Sequence, residues 1–173
     1  MSEQSGSFDH RLYSAYLNEH LLASEAGVKA FKAAADTWEG TEYRSVFLDL
    51  VRQIDDDKRD LVRLMATLGY RPHPVKQALT LAANALGRIN PVNLMRSKKG
   101  GMTQLELDVL VGMVTAKNMM WETLTMLSAV DKRLDPAQLA DLTRRAEDQI
   151  RQIRDVNTET YLRRFVPHEG DDR

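Results

Sequence analysis

Three polar side chains, His20, Asp57 and Lys117, stand in runs whose every third or fourth residue is otherwise apolar. Each falls near the middle of its run, where Leu or Ala is the ordinary choice. Burying a charge is costly unless it is paired, so the three are expected to face one another. The simplest chemistry is electrostatic: an Asp57 carboxylate, a Lys117 ammonium as counter-ion, and a neutral His20 imidazole as hydrogen-bonding partner. Such a cluster fixes helix register, or it handles a proton or a small ligand. Structural ion pairs and functional sites carry the same signature, so both readings stand.

The elements that must position them are helices. Leu, Ala and Met are abundant and aromatics make up only 6% of the 173 residues, which favours helix over sheet. The first helix reads from Asp9 as cap to about Ala35. Its inward face is Tyr13, Tyr16, Leu17, His20, Ser24, Gly27 and Phe31. Trp38-Glu39-Gly40 makes a turn. Thr41 is expected to cap the second helix, which buries Tyr43, Val46, Phe47, Leu50, Ile54, Asp57, Leu61, Leu64 and Leu68 and stops at Gly69. A short helix from Pro74 to about Gly87 and a loop from Arg88 to Gly101 follow. Thr103 and Glu106 spell a capping box for the third long helix, which is apolar on nearly every side. Asp135-Pro136-Ala137-Gln138 starts the last helix, expected to stop before Pro167.

Depth along the helices places the polar residues at one level. His20 precedes the Trp38–Gly40 turn by about as many residues as Asp57 follows it, so an antiparallel hairpin brings them together. Lys117 lies near the midpoint of its helix. On the last helix that level falls between Gln149 and Ile153, and Gln149 is the nearest polar candidate.

Composition excludes several classes. There is no cysteine, hence no disulfide, thiolate metal site or thiol nucleophile, and a cytoplasmic location fits. A formal net charge of −1 argues against nucleic acid and anionic membranes as partners. No run reaches the roughly 20 apolar residues of a membrane span, and the polar start Met1 to Ser7 does not read as a signal peptide. The expected organisation is a flexible tail over 1–8, one helical domain over 9–166, and a flexible tail over 167–173. Lys76, Arg88, Arg96, Lys98 and Lys99 concentrate positive charge around the crossover without interleaved aromatics. Asp55-Asp56-Asp57 does not make an ion site, because successive helical residues point about 100° apart. His10, His73 and His168 read as surface residues. Met119 and Met126 point away from Lys117, which makes a protein partner or a homodimer plausible.

Tyr16-Leu17-Asn18-Glu19-His20-Leu21 together with the run from Ile54 to Asp60 resembles bacterial ferritin-like proteins. The resemblance covers most of the chain at the level of helix pattern, with short motifs. It implies an antiparallel four-helix bundle with a crossover, carrying the extra short helix, between the second and third long helices. Metal-binding members of that superfamily use a Glu from each of two helices and Glu-x-x-His from each of the other two. This chain contains no Glu-x-x-His; Asp57-Lys58-Arg59-Asp60 stands where the resemblance would put one. Lys117 supplies a positive charge where a metal would be. The favoured expectation is therefore a non-enzymatic bundle with a structural or protein-interaction role, without cofactor. The alternative is a metal-dependent (iron or manganese) oxidoreductase or metal-binding protein with a reduced ligand set, His20, Asp57 and Asp60. A small-molecule binder using the same polar core is a third reading.

Overall fold

A computed structural model describes residues 8–73 and 100–166, with side chains from residue 104 onward in the second stretch. These residues form four helices and no strand: α1 (His10–Thr37), α2 (Arg44–Thr67), α3 (Gly100–Leu127) and α4 (Pro136–Phe165). The short helix and basic crossover expected over 74–99, and the termini 1–7 and 167–173, lie outside the described residues.

The helix ends follow local chemistry. The Asp9 carboxylate accepts from the Leu12 N–H at 3.0 Å and starts α1. Asp135 does the same for Ala137 at 2.9 Å, with Pro136 in the first turn of α4. Gly69 ends α2 at φ +78°, a region open to glycine. The Gly69 N–H donates to Ala66 and the Tyr70 N–H to Met65, closing a Schellman motif.

Two expected caps are not made. Tyr43, not Thr41, precedes α2, and the Thr41 hydroxyl instead donates to the Trp38 carbonyl at 2.7 Å, bracing the turn. Helix α3 begins at Gly100, so Gly100 and Gly101 are helical rather than loop, and Thr103 lies inside the helix rather than at its cap. Glu106 does not close a capping box. It is buried against the far end of α1, where its Oε1 accepts from the Thr37 hydroxyl at 3.1 Å. A tertiary partner has taken a side chain that local pattern assigned to a cap.

Contacts between the helices give their directions. Thr37 meets Glu106, and Gly27 lies beside Met113, so α1 and α3 run oppositely. Asp57 meets Gln149, Asp60 meets Arg145, and Leu68 meets Arg133, so α2 and α4 also run oppositely. With the short turns joining α1 to α2 and α3 to α4, this makes α2 and α3 parallel. The core is continuous from Leu17, Phe31 and Phe47 through Leu50 and Met65 to Trp121, Leu124 and Ile153. Packing is closest within the two hairpins. The seams between α1 and α3 and between α2 and α4 are much sparser, and it is beside the first that the interior opens.

Candidate functional site

Asp57 projects from the inward face of α2, between Ile54 and Leu61, with its side chain 1% exposed. Its Oδ2 accepts from the Lys117 ammonium of α3 and from the Gln149 Nε2 of α4, the latter at 2.9 Å. The same ammonium donates to Gln149 Oε1. Lys117, Asp57 and Gln149 therefore close a three-membered ring of donors and acceptors drawn from three helices. Gln149 is wholly buried, so its amide has no other route to satisfaction.

Sequence reasoning missed one member. Arg145, one turn before Gln149 on α4, brings a guanidinium nitrogen to 2.7 Å from Asp57 Oδ1. Its hydrogen bond goes to Asp60 Oδ2. Asp57 Oδ1 has no hydrogen-bond donor of its own, so the Arg145–Asp57 approach is coulombic. Asp60 takes a second hydrogen bond from Arg63. Burial raises the Asp60 pKa, but the hydrogen bonds from Arg145 and Arg63 outweigh it and hold the carboxyl below its ordinary range. The signal for Arg145 was legible: two carboxylates three apart on α2 face an arginine and a glutamine four apart on an antiparallel α4.

Burial lowers the Lys117 pKa below the usual lysine value. Asp57 opposes that shift, and Arg145 adds to it. Asp57 and Asp60 face the charges of Lys117 and Arg145, and the exposed Arg63 adds a third cation at Asp60.

His20 is brought to the same cavity wall but not into the ring. It is half-buried and stacks edge-on against Tyr16, with ring centroids 4.8 Å apart. Among the described residues it makes no hydrogen bond to Asp57 or Lys117, so the expected imidazole link to that pair is not made. Burial lowers its pKa below 6.5, against a smaller upward pull from Glu19, which favours the neutral ring. Among the described residues no three His, Asp or Glu side chains converge as a metal-binding group. The set His20, Asp57 and Asp60 is separated in function: Asp57 and Asp60 face cations, and His20 faces an apolar space.

That space is a cavity of about 410 Å³ between α1, α2 and α3, with His20, Asp57 and Lys117 on its wall. Most of the remaining lining is apolar. Ala23, Ala26 and Gly27 of α1 line it and contribute little side chain to fill it.

A second polar cluster joins the opposite end of the bundle. Asp131, in the α3–α4 turn, is buried and pairs with Arg133 at 2.7 Å. Arg133 also donates to the Leu68 carbonyl at 2.8 Å, one of the free acceptors at the end of α2. Its guanidinium lies 5.9 Å from the Tyr70 ring centre. Tyr70 contacts Tyr13 edge-on, and its hydroxyl meets His10 Nδ1 at 2.8 Å. His73, expected at the surface, is exposed, and its backbone N–H donates to the Asn18 side chain. His168 lies outside the described residues.

Comparison with protein-family models, with characterised proteins and with solved structures finds no match to this chain. No helix among the described residues is long and apolar enough to cross a membrane.

Proposed function

We propose that this chain is a non-enzymatic, ferritin-like helical bundle with a structural or protein-interaction role, in which a lysine ammonium occupies the position of a metal. The observation that carries the reading is the arrangement around Asp57. One carboxylate oxygen accepts from Lys117 and Gln149, and the other faces Arg145. A cation entering there would have to displace two protein cations already seated. The parallel course of α2 and α3, which requires a long connection between them, supports the ferritin-like assignment.

The ring joins α2, α3 and α4 through groups that have no other partners of comparable quality. A shift of any one of these three helices by one turn, about 5.4 Å, breaks two of the ring's three bonds. Its role is to fix register, a use of buried polar groups attested in other bundles. Met119 at 61% exposure and Met126 at 70% support a homodimer or a protein partner on that side of α3. The cysteine-free composition suits a cytoplasmic setting.

The test is metal analysis of protein purified without chelator, alongside light scattering. The expected result is iron and manganese far below stoichiometry. Near-stoichiometric metal that is lost in His20→Ala would overturn the reading and favour a metal-dependent oxidoreductase.

A further inference from the structure

We infer that the cavity between α1, α2 and α3 is a binding site for an uncharged, largely apolar small molecule bearing a carbonyl oxygen. This goes beyond the register role of the polar ring and does not depend on it.

Size comes first. At about 410 Å³ the cavity lies within the usual range for small-molecule sites, roughly 300–1,000 Å³. Its walls are mainly apolar, including Phe31, Ile54, Met120 and Trp121. An apolar guest gains by leaving water, at about 25 cal/mol per Å² of surface removed.

The polar atoms on the wall decide what else the guest carries. Lys117 has three N–H donors, and its bonds to Asp57 and Gln149 use two. The third asks for an acceptor, which a carbonyl oxygen supplies. The Trp121 indole N–H, unpartnered among the described residues, is buried out of a guest's reach. His20, on the same wall, is favoured neutral.

Charge decides the rest. The lysines of the wall are already paired: Lys117 with Asp57, and Lys58 with Glu25 at 2.7 Å. A carboxylate guest would bring a charge without a counter-ion into an apolar space. A cationic guest would give up its hydration to a mainly apolar wall beside the Lys117 ammonium. An uncharged ketone meets neither obstacle.

The probe is 2-decanone, compared with decanoate, added to full-length protein carrying ¹³C-labelled methionine methyl groups. Met113 and Met120 line the cavity, whereas Met119 and Met126 are exposed and serve as internal controls. The expected result is a saturable shift of the Met113 and Met120 methyl signals, with Met119 and Met126 unmoved, and tighter binding of the ketone than of decanoate. Ala26→Leu, which fills the cavity wall, should weaken the ketone by about tenfold or more. If that variant does not fold, the methionine signals of the unaltered protein still decide. Absence of saturable shifts, equal shifts at all four methionines, or preference for decanoate would overturn the inference, as would full affinity in a folded Ala26→Leu protein.

Discussion

Replacing Lys117 with Met removes a buried cation and leaves the rest of its side-chain volume nearly filled. Taking away one partner of a buried ion pair typically costs about 3–5 kcal/mol, because the other charge is stranded. Here the stranding is incomplete. Arg145 remains 2.7 Å from Asp57 Oδ1, and Gln149 still donates to Oδ2 at 2.9 Å. Gln149 Oε1, however, loses its donor. The expected loss is therefore about 3 kcal/mol, near the lower end of that range. For a domain of this size it corresponds to a fall of about 6–12 °C in melting temperature. Adding Asp57→Leu removes the stranded carboxylate and should recover much of the loss. It still leaves the buried Gln149 amide without partners, at a cost of about 1–3 kcal/mol, so the triple variant with Gln149→Leu should be more stable than the double. Urea denaturation followed by circular dichroism measures each step. A Lys117→Met protein as stable as the parent, or a double variant whose losses simply add, would refute the claim that the ring is a coupled buried unit.

Other expectations follow from particular contacts. Burial raises the Glu106 pKa above its ordinary 4.5, and hydrogen bonding from Thr37 only partly offsets it. Its stabilising contribution is thus full below about pH 4.5 and lost as pH rises through the folded pKa. Glu106→Gln should gain stability relative to the parent between pH 4.5 and 7.5 in denaturant titrations, and a constant difference would contradict this. Arg133→Met strands Asp131 and the Leu68 carbonyl. Because Arg133 is 37% exposed, solvent softens the loss to about 1–2 kcal/mol, measurable by the same unfolding curves. Gly112 lies inside α3 with open space around it, so Gly112→Ala should stabilise by about 0.5–1 kcal/mol. Gly69→Ala, at φ +78°, should destabilise by about 1 kcal/mol or more. Thermal melts of the two variants should move in opposite directions.

Much of this arrangement could be read from residue spacing because helices impose a period. The inward face of α2 matches the expected one from Tyr43 to Leu68, except that Val46 is only partly buried and the wholly buried Met65 was not foreseen. Asp57, Lys117 and Gln149 were expected at one level and are joined there. Period alone fixes which side of a helix faces inward, but not how a long side chain chooses among neighbours. That is why Arg145 escaped notice: its stem starts on the flank of α4, and only the reach of a guanidinium brings it to Asp57 and Asp60. Glu106 was misread for a related reason. Thr-x-x-Glu is a local motif, whereas the partner that wins, Thr37, is distant in sequence and close only after folding. His20 was placed at the right depth but given a hydrogen bond it does not make, since it faces a cavity beside the small residues of α1.

The most direct measurement concerns the Lys117 nitrogen itself. Nitrogen-15 NMR of lysine side chains, assigned by loss of one signal in Lys117→Met, reports its protonation and its exchange with water. The account predicts one ammonium signal protected from exchange, present at neutral pH, titrating below the ordinary value of 10.5 and displaced by Asp57→Leu. A Lys117 signal that exchanges and titrates like the surface lysines, indifferent to Asp57, would contradict it.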